Sequence, residues 1–359
     1  MKIAYYVCLE LGVESGVLKK INRQVEFWNN QGHETIVFYI TSQKNVNKLP
    51  NNAIVIEPAS VFSRFSDIYL FKFLFRVFGT LRALKVLRSF SPDIVYVRQV
   101  LWFPSIGKVL KSATSVVEVN NNDLVELQSK QKVFGELLRY LRSRFFKHVN
   151  GVVSVTSELE GSYTDNIKFK ALTNSYPVPD CLPKKTPRSN KVLFMSSPNQ
   201  PWQGVDKILL LAKKLPDYEF SIVGWEKGTH SNIPANVKFK GYLTGESLRL
   251  ELSEADYAIG PLALHRKNMY STSAIKIGEY LSNNLPVMLA YKETSISGDM
   301  LCVIDNIEDN ITDKSVLKIR AFLSYWKDKD INRQEVFDQV DPSNVESQRL
   351  EFFEAILCR

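Results

Sequence analysis

The chain has 359 residues, 45% hydrophobic and 23% charged, with a formal net charge of +8. That is ordinary globular composition, long enough for two domains with separate cores. The most apolar region, residues 68–78, is broken by Lys72 and Arg76, well short of the roughly 20 apolar residues that a membrane span needs. Glu10 ends the first apolar run too early for a secretory signal. The four cysteines, Cys8, Cys181, Cys302 and Cys358, show no CxxC spacing, which argues against a zinc site or disulfide framework and for a reducing, cytoplasmic setting. A basic balance suits nucleic acid, an anionic membrane surface or an anionic substrate.

The first elements alternate. KIAYYVCL reads as a strand and GVLKKINRQVEFWNNQGH as a helix, with Val17, Ile21, Val25 and Trp28 on one face and Gly32 as its stop. ETIVFYI, DIVYVR, SVVEVN and GVVSVT are further short β-branched runs separated by helical patterns. This is the rhythm of an open parallel sheet covered on both faces. Residues 176–190, YPVPDCLPKKTPRSN, contain four prolines and read as an interdomain linker. The rhythm then restarts with KVLFMSS, GVDKILLLAKKL, YEFSIVG, VKFKGYL, GESLRLELSEA and DYAIGPL. A turn, a helix and a strand follow in STSAIKIGEYLSNNLPVML, and a last helix in PSNVESQRLEFFEAILC. The expected organisation is an α/β chain with Rossmann-like halves at 1–175 and 191–340, joined by 176–190 and followed by a helix at 341–359.

One residue departs from ordinary helix grammar. With Ser273 as N-cap, Lys276 falls at the third helical position, where the dipole and unpaired N–H groups favour negative charge. The loop ahead, MYSTS, is rich in small hydroxyl residues. An anion there would meet amides, hydroxyls and an ammonium together. The competing reading is a plain surface pair between Lys276 and Glu279.

Four segments resemble the family-4 type of nucleotide-sugar glycosyltransferases with the GT-B fold. SAIKIGEYLSNNLPV is similar to the family's SPxKxxEYLAxGxPV element, PWQGVDKILLLAKKLPDYEFSIVG to its strand–loop–helix, VKFKGYLTGESLRLELSEADYAIGP to the segment between them, and SGVLKKINRQVEFWNNQGHETIVF to its N-terminal opening. The resemblance implies two Rossmann-like domains facing a cleft, with the C-terminal helix crossing back to the N-terminal domain. It also implies a nucleoside diphosphate sugar in the C-terminal domain and an acceptor in the N-terminal one.

By that resemblance, Lys276 meets the donor diphosphate and Glu279 accepts from the ribose hydroxyls. The amides of Ser271, Thr272, Ser273 and Ala274 stand where many relatives carry a second glutamate, at the position of Ser271. Many relatives place diphosphate-binding cations where this chain has Gln203 and Ser197, which leaves Lys276 as the main cation that this domain offers the leaving group. Gly204 and Gly224 would let backbone approach the ligand, and Tyr242 and Leu243 would flank the base. Gly16 would face the donor from the first half, although a bare strand–helix turn remains open there. Asn120 and Asp123 are the acceptor-side candidates. Asn120 can orient a hydroxyl but cannot act as a base, whereas Asp123 can, or can simply cap a helix. Asp328–Lys329–Asp330 is a literal DxD, a pair that binds divalent metals in a different glycosyltransferase fold, but here it lies in a charged segment after the nucleotide domain. No other carboxylate or histidine cluster has metal-ligand spacing, so no metal and no cofactor is expected.

Residues 62–90 and 130–147 are basic and rich in aromatics, with Phe71, Phe75 and Phe78 on one helical face. Such helices suit an anionic bilayer surface, or simply a solvated face over a core. No nucleic-acid motif accompanies the charge. The combined expectation is a retaining, metal-independent glycosyltransferase on the inner face of the cytoplasmic membrane. It would act on a glycan or polyprenyl-linked acceptor in bacterial surface-polysaccharide assembly. The alternatives are a non-catalytic GT-B-like binding subunit and a Rossmann-type sugar-nucleotide-modifying enzyme. The absence of GxGxxG argues against the latter.

Overall fold

The computed structural model describes residues 1–9, 16–41, 49–57, 69–121, 132–164, 166–229 and 232–358. The chain divides into two units, Met1–Leu172 with Glu346–Arg359, and Thr173–Val345.

The first unit carries β1 (Lys2–Cys8), α1 (Gly16–Asn30), β2 (Glu34–Ile40), β3 (Ala53–Ile56), α2 (Tyr69–Phe90) and β4 (Ile94–Arg98). α3 (Pro104–Leu110), β5 (Thr114–Val119), α4 (Lys132–Phe146), β6 (Gly151–Ser154) and β7 (Lys168–Ala171) follow. Among the described residues the strands form one seven-stranded sheet in the order β3-β2-β1-β4-β5-β6-β7. Every pairing in it is parallel. The pleat sends alternate side chains to opposite faces. Ile3, Tyr5 and Val7 pack with Leu18, Ile21, Val25 and Trp28 of α1. Ala4 and Tyr6 pack on the other side with Leu84 and Leu87 of α2, Ile106 and Leu110 of α3 and Phe145 of α4. Both faces are therefore buried, which is why these strands read as continuous apolar runs.

The second unit carries β8 (Lys191–Met195), α5 (Val205–Lys214), β9 (Glu219–Val223), β10 (Val237–Gly241), α6 (Gly245–Glu254) and β11 (Tyr257–Ile259). It continues through β12 (Ser271–Thr272), α7 (Ile275–Ser282), β13 (Val287–Leu289), β14 (Lys292–Glu293), β15 (Leu301–Val303), α8 (Asp313–Tyr325) and α9 (Arg333–Val340). Its main sheet is also parallel, in the order β10-β9-β8-β11-β13-β15, and β12 pairs separately with β14. The proline-rich stretch 176–190 lies within this unit. The buried Arg188 guanidinium donates to the carbonyls of Trp326 (2.8 Å) and Asp256 (2.6 Å), and Lys185 donates to Leu252 (3.0 Å). Two cations thus anchor it to the domain, and it is no free tether.

The last helix, α10 (Pro342–Leu357), gives Leu350, Phe353 and Ile356 to the first unit's core, on the α1 side. Gly151 makes room for it, because a Cβ there would fall 2.3 Å from Ile356 Cδ1. Arg349 is fully buried, bonded to Glu346 (2.7 Å) and to the Tyr96 hydroxyl (2.8 Å).

Candidate functional site

In the second unit the chain runs outward from β8 through β9 and β10, then returns to lay β11 on the other side of β8. The order reverses between β8 and β11, and in open parallel sheets the loops leaving the carboxyl ends of such a strand pair border a ligand crevice. Here those loops are residues 196–204 and 260–274. They are tied together by Leu262 N–H to Gln203 C=O and Ala263 N–H to Trp202 C=O, both 3.2 Å. Arg266 donates to Pro201 C=O (2.9 Å) while its fork is held by Asp206 (2.7 Å) and Glu308. The Lys267 ammonium lies 3.5 Å from the Trp202 ring centroid. Gly204 is left-handed (φ 76, ψ 39). The space its missing side chain leaves is filled by Leu262 and the Ala263 amide, 3.1–3.2 Å from where a Cβ would stand. Its close approach is to the protein itself rather than to a ligand, because the two loops must meet there.

α7 starts at Ile275 with Ala274 as N-cap (φ −86, ψ 128) and no capping side chain. The N-cap expected at Ser273 is thus one residue off, and Lys276 is the second helical residue. Ser273 is not available as a cap because its hydroxyl bonds to the Thr173 hydroxyl and accepts from Asn174 N–H (2.9 Å). The Lys276 ammonium turns to the Met195 carbonyl at the end of β8 and to Gln203 Oε1 (2.8 Å), 4.8 Å from the Phe194 ring centroid. One turn on, the Tyr280 hydroxyl accepts from Met195 N–H (2.8 Å). Two side chains at i,i+4 on α7 therefore grip one residue of β8. Lys276 does not pair with Glu279, which instead accepts from the Tyr176 hydroxyl (3.0 Å). Gly278 permits that contact, since a Cβ would stand 2.8 Å from Tyr176 Cβ.

Burial alone pulls the Lys276 ammonium down to about 7. No carboxylate among the described residues forms an ion pair with it. A half-buried amine with neutral partners gains charge when an anion arrives, because the anion supplies the missing opposite charge. The arrangement is suited to receiving phosphate.

The neighbouring strand ends carry the other candidates. Gly224 (φ 92) sits so close to the β8 loop that a Cβ would overlap the Ser196 carbonyl oxygen at 1.7 Å. Its N–H donates to Gly241 C=O (2.7 Å), and Trp225 Nε1 donates to Ser196 Oγ (2.6 Å). Tyr242 is exposed, and Leu243 packs partly on the core. Ser271 is buried beside Lys292 in the β12–β14 pair, and Thr272 is half-buried opposite Glu293. Lys276 and Gln203 are thus brought into contact, with Ser273, Ala274 and Glu279 on the same turn and helix. Tyr176, Phe194, Met195 and Tyr280 also belong to the site. Only Tyr280, at i+4 from Lys276, left a signal in the sequence.

In the first unit Asn120 follows β5 and is half-buried. Two residues before it, Glu118 is buried and bonded to Lys20, to Arg98 (3.4 Å) and to the Tyr5 hydroxyl (2.8 Å). These cations hold its carboxyl far below the usual carboxylate range despite burial. Gly16 opens α1 with open space where a Cβ would sit. Asp123 lies outside the described residues. Asp330 of the DxD triplet accepts from Lys185 N–H (3.2 Å) and the Asn284 amide (2.7 Å), a structural use. Among the described residues no group of three His, Cys, Asp or Glu is placed to hold a metal.

No protein-family model matches the sequence, and no curated protein matches it. Solved structures do resemble it. Sucrose-phosphate synthase from Thermosynechococcus elongatus aligns over 99% of both chains with a TM-score of 0.71 at 14% identity. The pneumococcal O-GlcNAc transferase GtfA, in complex with UDP and GlcNAc, aligns over 99% of both with a TM-score of 0.65 at 11% identity. TarM aligns over 98% of both with a TM-score of 0.64 at 12% identity. Two Rossmann-like parallel-sheet units and these neighbours define the class: the chain has the GT-B fold.

Proposed function

We propose that the chain is a glycosyltransferase that takes its sugar from a nucleoside diphosphate sugar held in the second unit. The observation that carries this is Lys276, an under-compensated amine beside an uncapped helix N-terminus at the switch point of a parallel sheet. The structural neighbour GtfA was solved with UDP, and another, an alpha-glucosyltransferase, with UDP-glucose, which supports the same donor class. In the reaction the bond from the sugar's anomeric carbon to the diphosphate oxygen breaks, an acceptor hydroxyl oxygen bonds that carbon, and the hydroxyl proton passes to the departing diphosphate. Lys276 and the first amides of α7 stabilise the charge gathering on the departing diphosphate, and Glu279 accepts from the ribose diol. Retention of configuration and independence from metal are part of the proposal. Asn120, just after β5, is the acceptor-side residue assigned to the first unit.

The acceptor is a glycan or polyprenyl-linked sugar of surface-polysaccharide assembly, met at an anionic membrane on its cytoplasmic side. Support comes from two helices of the first unit. α2 exposes Leu74 and Phe78 (61% accessible) beside Arg82 and Lys85, and α4 exposes Leu137 and Tyr140 (57%) beside Arg139 and Arg144. Apolar tips among cations are the composition of an interfacial face. Phe78 is on this exposed side, whereas Phe75 packs on the core, so the expected single phenylalanine face is split. No described helix is long and apolar enough to cross a membrane.

Calorimetric titration with UDP, GDP and ADP tests the donor site, and product mass spectrometry with polyprenyl-linked acceptors tests transfer. Binding of none of these would remove the reading. A second reading, ligand binding without turnover, is favoured by one observation: Lys276 already has two neutral partners, Met195 C=O and Gln203. Nucleotide binding with no sugar release under any acceptor would establish it.

A further inference from the structure

Beneath the same turn lies a group that this donor chemistry does not yet use. Glu293 of β14 is 4% exposed and stands opposite Thr272 in the β12–β14 pair. Neither of its carboxyl oxygens has a hydrogen-bond partner of normal geometry, and neither does the buried Tyr291 hydroxyl beside it. The Ser273 and Tyr291 hydroxyls and the Ala274 and Thr294 amides approach the carboxyl and favour its charge, but desolvation outweighs them and pushes it up to about 8. Tyr291 faces it from its own strand segment, and Tyr280 of α7 acts on Tyr291 in turn. Lys292 is exposed. No cation is among the groups that shift Glu293.

A helix N-terminus without a capping side chain and a buried, poorly hydrogen-bonded carboxyl thus lie against each other. An ionised carboxylate there would occupy the Ala274 amide and repel an incoming phosphate. A protonated one is neutral and can donate a hydrogen bond into the turn. We propose that Glu293 is a proton-dependent positioning residue, which leaves the α7 N-terminus open to an anionic ligand when it carries its proton and opposes that ligand when it does not. The proposal rests on the donor reading above and adds a regulation to the same site.

The test uses the full chain, with Glu293→Gln as the neutral near-isostere and UDP as probe. UDP affinity is measured by calorimetry from pH 6 to 9.5 in wild type and variant, and infrared difference spectra follow the carbonyl stretch of a protonated carboxyl. Lys276 weakens binding with rising pH in both proteins, so the ratio of the two affinities isolates Glu293. The expected result is a ratio near one at pH 6 and a wild-type affinity roughly tenfold lower than the variant's at pH 9.5, with a protonated-carboxyl band at pH 7 that the variant lacks. Superimposable pH profiles, or no such band at pH 7, overturn the proposal while leaving the donor site standing. Absence of UDP, GDP and ADP binding in both proteins at every pH overturns the donor reading, and the proton dependence falls with it.

Discussion

Lys276 combines a liability with a use. Its pKa in the folded chain, about 7, lies below its ordinary value of 10.5, so folding favours the neutral amine. The resulting loss of stability grows as pH falls from about 10.5 towards 7. Replacing it with Met should therefore raise the melting temperature, more at pH 7 than at pH 10, as measured by calorimetry. The same change should weaken UDP binding about 10- to 100-fold, the size of one charge-assisted hydrogen bond. In the wild type, a bound diphosphate favours the ammonium, so binding takes up a proton and affinity declines above about pH 7. Titrations in two buffers of different ionisation enthalpy would reveal that uptake, and equal heats would refute it. Gly224 is a separate case. With φ 92 and a Cβ position 1.7 Å from the Ser196 oxygen, Gly224→Ala should lower stability by at least ~3 kcal/mol, read as a urea midpoint.

At the level of elements, the first unit is held by charges as well as by its core. Glu118 on β5 meets Lys20 from α1 and Arg98 from β4, and Arg349 on α10 meets Glu346 and Tyr96. The Glu118 carboxyl is depressed in the folded chain. Its stabilisation is therefore present above its unfolded value of 4.5 and is lost as pH falls below it. Glu118→Gln leaves Lys20 buried without its counter-charge and should cost about 3–5 kcal/mol at pH 7. Urea midpoints between pH 3 and 7 should show a flatter acid limb in the variant, and parallel curves would disprove the assignment. The rhythm of these elements was legible because the central strands are buried on both faces and α1 has one buried stripe. The ion cluster was not, since Lys20, Glu118 and Arg349 are too far apart in sequence for any local pattern to join them.

On the scale of the whole molecule, the duplicated strand–helix rhythm announces two parallel sheets, and each shows the same reversal of strand order, at β1/β4 and at β8/β11. The basic character is concentrated on helices that also expose apolar tips. The full chain should co-sediment with vesicles containing anionic lipid and dissociate as salt rises. Phe78→Glu with Tyr140→Glu should reduce the bound fraction several-fold without shifting the melting temperature. Equal binding by the double variant would remove α2 and α4 as the contact.

Sequence by itself determined the α/β class, the two-fold repetition of the pattern and the oddity of a lysine in the first turn of α7. These depend on local periodicity and on the preference of a helix start for negative charge. Only the tertiary structure decided what the neighbouring residues do. Ser273 bonds to residues 100 and 99 positions away, Gly204 accommodates the 262–263 backbone, and Glu293 is stripped of solvent under the α7 turn. Burial and long-range contact set the charge and partners of a polar group, and neither is encoded in its immediate neighbours along the chain.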